Sequence, residues 1–345
     1  MSITNSKLKQ IFLSLFTAAL LLTFVINGCT EVEKQEIKTL KIGYIQWPGF
    51  DVALYAQEAG FFAKRGVEVE FVPFKHLPDA SQAVLEGSLD AAFASMWETS
   101  QLEQSDESPV VVLVTNISYG GDGIVAQKDI QSVKDLKGKK IGCKLKTVNE
   151  LTLLEALKLY NLNLKDVEID NILKEIGVQR MKEGSLDAAV TWEPILSNTA
   201  KELEGNVIFT TKDVDSLIID TLITRSSFLS NGQKELTQFI LAWFDVMNAI
   251  EKEPEKVFAT VAAQLGQSPE SFAQDFAGLK IGTRAMQKRM FRTGGRLEKA
   301  KKAIIQLLKE NQQFKTRSIR EDIEINAEPL NAALRAWKPL DISKN

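Results

Sequence analysis

Three tryptophans stand where β-like runs of the sequence give way to helical patterns, and carboxylates stand beside them. Trp47 follows the first such run, and the pairs Trp97-Glu98 and Trp192-Glu193 follow two later ones. Indole rings hold apolar or cationic groups by stacking and by cation–π attraction. These residue types and positions therefore predict non-covalent binding of a small molecule. For any single tryptophan a place in the hydrophobic core is the competing interpretation, because most tryptophans are buried.

The sequence lacks the combinations on which most catalytic and cofactor sites depend. Its only histidine, His76, has no partner that suggests a catalytic triad or a metal site, and we expect it at the surface. No stretch fits the phosphate-binding loop, and Gly121-Asp122-Gly123 lacks the third glycine of the dinucleotide fingerprint. We therefore predict a protein that is not an enzyme and that uses neither a cofactor nor a metal. Catalysis by paired carboxylates stays an open alternative.

One heptapeptide occurs twice in the chain. The sequence Glu-Gly-Ser-Leu-Asp-Ala-Ala begins at Glu86 and again 97 residues later at Glu183, and a Trp-Glu pair follows each copy. Lys-Ile-Gly also repeats, at Lys41 and at Lys140. The shared order of signals predicts two similar lobes, and a cleft between two lobes is a common place for small molecules to bind.

In both halves, β-like runs alternate with segments of helical periodicity. The predicted strands are 41–45, 67–74 and 89–94 in the first half, and 139–145, 167–172 and 186–191 in the second. Alternation of strands and helices predicts parallel pairing with right-handed crossovers. We therefore expect an α/β fold in which each lobe is a small, mostly parallel sheet flanked by helices.

Two extended crossings between the lobes are also predicted. The chain leaves the first lobe through the runs 110–116 and 123–127, and it returns through 217–224. Two such crossings with glycines beside them are what a hinge requires. The predicted domains are lobe 1, residues 40–122 and 218–345, and lobe 2, residues 123–217.

Ligands of open α/β sheets bind beyond the carboxyl ends of the strands, where helix N-termini offer free N–H groups. Four such corners occur, two in each lobe, and all four face one cleft if the lobes face each other. The residues expected to bind the solute are Trp47, Asp51, Ser95, Trp97 and Glu98 from lobe 1, Asp122 near the hinge, and Thr147, Trp192 and Glu193 from lobe 2. For the carboxylates, helix capping is the competing interpretation. If two or more of them reach the cleft, the ligand carries a positive or amino group.

The first 28 residues have the composition of an export signal. Lys7 and Lys9 precede an uncharged apolar run, 11–26, which is shorter than the roughly 20 residues of a membrane-spanning helix. The run leads to Gly28-Cys29, which resembles the lipobox of bacterial lipoproteins, in which the cysteine is acylated. An ordinary signal peptide cut nearby is the alternative. We expect a lipid on Cys29, a tether at 29–39, and an extracytoplasmic protein held at a membrane surface.

Composition narrows the choice of partners. The chain has 42 basic and 45 acidic side chains, and loss of Lys7 and Lys9 with the signal would make the balance more acidic. Nucleic-acid binding needs a basic excess and is not expected. Cys143 is the only thiol besides Cys29, so no internal disulfide is expected in the mature chain. We expect a monomer whose two lobes are stabilised by their hydrophobic cores.

Several motifs are similar to those of the nitrate, sulfonate, taurine and bicarbonate solute-binding proteins of ABC transporters. These motifs are the turn Trp47-Pro48-Gly49, the two Gly-Ser-Leu-Asp-Ala-Ala stretches, and the segments 135–142 and 187–194. The resemblance covers about 41–228. It implies the two-lobed periplasmic-binding-protein type II fold of the thiamine-pyrimidine-synthase-like superfamily. It also implies capture of a small solute between the lobes and delivery to a membrane permease and its ATPase.

The chain departs from this pattern at two corners. Many members begin the first helix of lobe 2 with Gly-Ser or Gly-Thr, whereas this chain has Lys146-Thr147-Val148-Asn149, and Asp51 places an acid at another corner. We therefore consider an amino-bearing sulfonate, another zwitterion or an amine to be as good a candidate solute as nitrate. Three alternatives stay open: a binding protein for a pyrimidine or thiamine precursor, an enzyme like the thiamine-pyrimidine synthases, and a sensor for a membrane receptor.

Overall fold

Two separate β-sheets, each flanked by helices, organise residues 38–311 and 318–341, the part of the chain that this computed structural model describes. The predicted export signal, the lipidation site Cys29 and the tether up to residue 37 lie outside the described residues. The predicted α/β class with two sheet-bearing lobes is confirmed.

The first sheet, in lobe 1, is built from both ends of the described chain. Its strands are β1 Thr39–Tyr44, β2 Glu68–Pro73, β3 Ala91–Ser95, β4 Pro109–Ser118, β10 Ile219–Arg225, β11 Leu279–Ile281 and β12 Glu324–Ile325. Their order is β11-β4-β10-β3-β1-β2, and β12 pairs with β4.

The second sheet, in lobe 2, uses one uninterrupted stretch. Its strands are β5 Asp122–Ala126, β6 Lys140–Gly142, β7 Glu168–Asp170, β8 Ala188–Trp192 and β9 Asn206–Thr210, in the order β7-β6-β8-β5-β9.

Both sheets contain antiparallel as well as parallel strand pairs, whereas the alternation of strands and helices predicts mostly parallel pairing. The pairs of β1 with β2 and β3, and of β6 with β7 and β8, are parallel as expected. The strands next to the two crossings run the other way: β10 is antiparallel to β3 and β4, and β5 is antiparallel to β8 and β9. These strands join the lobes directly, without the helical crossover that parallel neighbours require.

Thirteen α-helices are assigned within the described residues. They are α1 Pro48–Glu58, α2 Phe61–Arg65, α3 Leu77–Leu85, α4 Met96–Thr99, α5 Val148–Leu159, α6 Lys174–Lys182, α7 Ile195–Glu202, α8 Ser226–Lys252, α9 Pro254–Leu265, α10 Pro269–Ala277, α11 Arg284–Met290, α12 Arg296–Glu310 and α13 Glu328–Ala336. The longest, α8, packs on the first sheet, where Phe239 and Trp243 lie 6.3 and 6.5 Å from the ring of Phe93. None of these helices is both long enough and apolar enough to cross a membrane.

The repeated heptapeptide has the same structural role in both lobes. Gly87 and Gly184 have φ angles of +82° and +71°, which favour glycine, and each follows the last turn of a helix, α3 or α6. The aspartate of each copy then accepts a hydrogen bond from a backbone N–H of the repeated Lys-Ile-Gly. The distances are 2.9 Å from Lys41 to Asp90 and 2.7 Å from Lys140 to Asp187. Each repeat therefore ties a central strand to the strand beside it.

The two crossings between the lobes are hydrogen bonded to each other. Segment 119–121 leads from β4 to β5, and segment 211–218 leads from β9 back to β10. The Ser118 hydroxyl donates to an Asp122 carboxylate oxygen over 2.6 Å and lies 2.8 Å from the Thr211 hydroxyl. The Gly120 N–H also donates to that hydroxyl, over 2.7 Å. These contacts fix where the lobes meet and place Asp122 beside the cleft.

Candidate functional site

A cavity of about 420 Å³ lies between the two lobes. Lobe 1 lines it with Trp47, Glu98 and Asp220, lobe 2 lines it with Thr147 and Trp192 among others, and Asp122 lies at the crossing. Small-molecule pockets commonly have volumes of about 300 to 1,000 Å³ and lie at domain interfaces. The cavity has room for a small organic molecule.

Two of the three corner tryptophans face each other at the cavity. Trp47 directly precedes α1, Trp192 ends β8, and their ring centroids are 6.4 Å apart with the rings perpendicular. Trp97 belongs to the hydrophobic core instead: it is 1% exposed and does not line the cavity. Its indole N–H has no hydrogen-bond partner among the described residues. For Trp97, the structure therefore fits a place in the hydrophobic core, which was the alternative to ligand contact for each tryptophan.

Three buried carboxylates line the same cavity. Glu98 accepts a hydrogen bond from the Ser95 hydroxyl, over 2.9 Å, and the backbone of Val148 in lobe 2 lies close enough to lower its pKa. The Glu98 carboxylate is therefore placed where the two lobes approach each other. Asp122 accepts from Ser118 at the crossing. The third carboxylate, Asp220 on β10, was not among the residues predicted from the sequence.

The side chains of Trp47 and Asn116 hold Asp220 in place. Both lie close enough to its carboxylate to favour the ionised form and so to lower its pKa, against the larger effect of burial. The Trp47 indole N–H also donates to the amide oxygen of Asn116, over 3.3 Å. Gly49 allows this approach, because a Cβ at that position would lie 2.1 Å from the Asn116 amide nitrogen. Asp220, Asn116 and the first corner of lobe 1 thus form one buried polar group.

Burial shifts the acid–base behaviour of all three carboxylates. Desolvation raises the pKa of Glu98 to about 7 and that of Asp122 to about 6. Burial also raises the pKa of Asp220 well above its ordinary value, and repulsion from Asp122 and Glu98 adds to this shift. No ion pair in the described part of the chain joins any of the three to a lysine or arginine. The cavity therefore carries concentrated negative charge once these groups ionise.

Lobe 2 contributes a buried amide that the sequence analysis also missed. Asn149 on α5 lines the cavity and is 2% exposed. Its amide nitrogen donates to the backbone oxygen of Val190 over 3.0 Å, which fixes the orientation of the amide. Its amide oxygen has no partner among the residues that the structure describes. A buried hydrogen-bond acceptor without a partner therefore belongs to a residue of the cavity wall.

Besides Trp97, three predicted site residues do not line the cavity, because their side chains stabilise local structure. Asp51 accepts from the Tyr44 hydroxyl, over 2.6 Å, and from the backbone of Trp47. Ser95 caps α4, and Glu193 accepts two hydrogen bonds from Ser197 at the start of α7. For Asp51 and Glu193 the capping interpretation therefore describes the observed contacts.

Two further details describe the corners of lobe 2. Pro194 precedes α7 as the capping residue and follows a cis peptide bond. At the start of α5, Thr147 accepts from the Asn149 N–H, and Glu150 accepts from the Lys146 N–H. Thr147 still lines the cavity. His76 is exposed as predicted and also lines the cavity, which was not predicted.

Residues 38–311 and 318–341 contain no group of three His, Cys, Asp or Glu side chains arranged to hold a metal ion. The cavity lining combines aromatic rings, three carboxylates, the amide of Asn149, one histidine and three lysines. It is suited to recognise a solute through stacking, hydrogen bonds and charge.

The raised pKa values predict that the ligand-free protein is most stable in mild acid. Asp51, Glu98 and Asp122 have ordinary values of 3.8 to 4.5 and folded values of about 7, 7 and 6. Between about pH 4 and pH 7 the folded state therefore binds more protons than the unfolded state, so stability falls as the pH rises. We expect the melting temperature to fall from pH 5 to pH 7.5, and to fall less in Glu98→Gln. A melting temperature that rises over this range in the wild type would contradict the prediction.

Comparison with known proteins identifies similar sequences and structures. The NMT1/THI5-like family profile matches residues 47–257. A putative binding protein of Brucella abortus is 28% identical over 172 residues, which are 49% of this chain and 52% of that protein. The chain thus spans about half the length of this relative. A putative aliphatic sulfonates-binding protein of Bacillus subtilis is 25% identical over 238 residues, 63% of this chain and 68% of that protein.

Among solved structures, the periplasmic aliphatic sulphonate binding protein SsuA from Escherichia coli has the same fold. It superposes with a TM-score of 0.66 at 18% identity, over 84% of this chain and 98% of that chain. At this identity the likeness concerns the fold alone. The periplasmic-binding-protein architecture that the sequence motifs imply is thereby confirmed.

Proposed function

Since this chain belongs to the NMT1/THI5-like family, we propose that it is the solute-binding protein of an ABC importer, which captures a small polar organic solute between its lobes. The observation that carries this proposal is the cavity of about 420 Å³, which both lobes line and where Trp47 and Trp192 face each other. Lining from both lobes lets a bound molecule hold them together.

In the proposed mechanism, capture depends on a solute that contacts both lobes at once. Trp47 belongs to lobe 1 and Trp192 to lobe 2, and the Glu98 carboxylate of lobe 1 lies beside the Val148 backbone of lobe 2. A solute that touches both walls binds the closed form more tightly than the open form, so it shifts the population towards closure. The hydrogen-bonded crossings at Ser118 and Thr211 are the proposed pivot.

The partners in the proposal follow from the kind of protein that the chain resembles. The relatives include an aliphatic sulfonates-binding protein and the taurine-binding periplasmic protein of Escherichia coli. A sulfonate, a taurine-like molecule or another small polar organic solute is therefore the proposed cargo. We further propose that a lipid on Cys29 holds the protein at the outer side of a membrane, where a permease and its ATPase receive the solute.

A thermal-shift screen tests the solute-binding function. The mature chain is heated with sulfonates, taurine, amino acids, amines, nitrate, bicarbonate and pyrimidines. A solute that binds only the folded state at 100 times its Kd stabilises that state by about 2.7 kcal/mol. We expect one chemical class to raise the melting temperature selectively and calorimetry to give one site per chain. Failure of every class at millimolar concentration would contradict the proposal.

The genes beside this one separate uptake from sensing. Genes for a permease and an ATPase would support the importer, whereas a receptor kinase or cyclase gene alone would favour a sensor.

A further inference from the structure

We propose that the solute carries a protonated amino group, which the carboxylates of Glu98, Asp122 and Asp220 hold, and a flat apolar body that lies beside Trp47 and Trp192. This inference rests on the proposed function, because it assigns the chemical class of the solute that the same cavity binds.

The arrangement of the carboxylates is the first argument. Glu98, Asp122 and Asp220 are only 4%, 2% and 4% exposed, and all three line the cavity. Their negative charges repel one another, as the combined effect of Glu98 and Asp122 on Asp220 shows. Buried charges are normally paired, because an unpaired charge away from water is costly. A cation in the cavity would remove this cost, whereas an anion such as a sulfonate would add to the repulsion.

The amide of Asn149 is the second argument, and it is independent of charge. The orientation of this amide is fixed by the hydrogen bond to Val190, so the group left without a partner within the described ranges is the oxygen. An oxygen accepts a hydrogen bond and therefore calls for a donor on the ligand. An ammonium group has up to three N–H donors, whereas an ionised sulfonate has none. Asn149 from lobe 2 and the acids Glu98 and Asp220 from lobe 1 thus favour the same chemistry.

The distribution of the basic residues agrees with this assignment. Lys75, Lys144 and Lys174 line the cavity, but their side chains are exposed or partly exposed, whereas the acids are buried. The Lys174 ammonium lies 3.5 Å from the ring centroid of Trp192, and its charge lowers the pKa of Asp122. That effect is smaller than desolvation, which keeps the pKa of Asp122 raised. A solute with a second, anionic group would direct that group towards these lysines.

The aromatic lining accounts for the body of the solute. Trp47 and Trp192 meet edge to face, and Phe50 and Phe74 line the same cavity. Aromatic rings bind flat apolar groups by stacking and attract cations to their faces. A flat body with an amino substituent uses the rings and the carboxylates together.

Matched probe molecules test the inference. We would measure Kd by calorimetry for benzylamine and phenethylamine, and for phenylmethanesulfonate and 2-phenylethanesulfonate, which have the same bodies with a sulfonate in place of the amine. Ethylamine, taurine and ethanesulfonate form a second series without the ring. We expect the aromatic amines to bind at least about tenfold more tightly than the matched sulfonates.

Two amide variants locate the binding group. Asp220→Asn removes one of the three charges, and we expect it to weaken amine binding by about tenfold or more. Asp275→Asn is the control, because Asp275 is also buried, at 7% exposure, and has a pKa raised to about 6, yet it does not line the cavity. We expect the control to leave amine binding unchanged. Glu98→Gln serves as the second cavity variant if Asp220→Asn does not fold.

The pH dependence gives a further readout. Ionisation of Asp122 and Glu98 as the pH rises through about 6 to 7 should strengthen amine binding between pH 5.5 and pH 8. Simple amines stay protonated over this range. Other charged groups that act on the acids or line the cavity are Lys75, His76, Lys144, Lys174 and Glu193. Weaker amine binding at pH 8 than at pH 5.5 would overturn the inference.

The remaining outcomes separate the two proposals. Tighter binding of the sulfonates than of the amines overturns the charge assignment and leaves solute binding intact. Equal losses in Asp220→Asn and Asp275→Asn overturn the placement of the amino group. If no probe of either series binds at millimolar concentration but the thermal-shift screen finds another solute, the inference fails and the solute-binding function stands. If that screen also finds no solute, both fail.

Discussion

Alanine in place of Trp192 should weaken solute binding by about 30-fold and leave the fold intact. The ring stands at the end of β8, faces Trp47 at 6.4 Å and lines the cavity from lobe 2. Buried aromatic anchors often contribute about 2 kcal/mol or more to binding, which corresponds to this change in Kd. Trp192 is not part of the buried core, so its loss should cost little folding stability. Calorimetry with a solute that stabilises the wild type measures the effect.

Tyr119→Ala provides the matched control for this prediction. Tyr119 is 38% exposed, and the ammonium of Lys280 lies 3.5 Å from its ring centroid, much as Lys174 lies over Trp192. Tyr119 does not line the cavity. We expect its removal to leave the affinity unchanged. Unchanged affinity in Trp192→Ala would exclude Trp192 from the binding site.

Alanine in place of Asp245 should lower the free energy of unfolding by about 3 to 5 kcal/mol, because it leaves the partner charge without compensation. Asp245 on α8 is fully buried and accepts two hydrogen bonds from Arg65, both over 2.7 Å. The Trp337 indole N–H and the Leu340 backbone N–H also donate to it. One carboxylate thus joins α2, α8 and the segment after α13. Urea unfolding followed by circular dichroism measures the loss.

A surface ion pair supplies the control for Asp245→Ala. Lys309 and Glu321 are 2.6 Å apart, and their side chains are 46% and 61% exposed. Exposed pairs of this kind contribute about 0 to 1 kcal/mol, so Glu321→Ala should change stability little. Equal effects of the two substitutions would show that the buried network around Asp245 does not stabilise the fold.

The fold was predictable because its sequence signals are local and occur twice. Helix-ending glycines at 87 and 184 and the aspartates that follow them act within a few residues, so the heptapeptide marks the same turn in both lobes. The mixture of parallel and antiparallel strands was harder to predict from the sequence. It depends on how β4 and β10 cross between the lobes, which involves residues about 100 positions apart in the chain.

The site was only partly predictable, because helix capping and ligand binding use the same residue types at the same corners. Trp47, Glu98, Asp122, Thr147 and Trp192 line the cavity, whereas Asp51 and Glu193 hold local structure. Sequence spacing shows that a residue stands at a corner, but the direction of its side chain depends on packing between the lobes.

Two of the residues that the sequence analysis missed, Asp220 and Asn149, differ in how much signal the sequence contains. Asp220 is a single acid in the apolar run 217–223. A carboxylate within a buried strand is costly, so its presence there indicates a specific role. That contrast could have identified it. Asn149 gives no such signal, because asparagine early in a helix is common and only the fixed amide shows that its oxygen lacks a partner.

The placement of lobe 2 within the chain has a consequence for how the molecule is assembled. Strands β5 to β9 come from one uninterrupted stretch, so this lobe can fold before the residues of β10 to β12 are synthesised. Once it has folded, Ser118 and Thr211 are hydrogen bonded, and the ends of β4 and β10 are brought side by side. Closing a flexible loop of about 100 residues would otherwise carry a large entropic cost. Lobe 2 thus holds the ends of β4 and β10 together before the last strands of the first sheet are added.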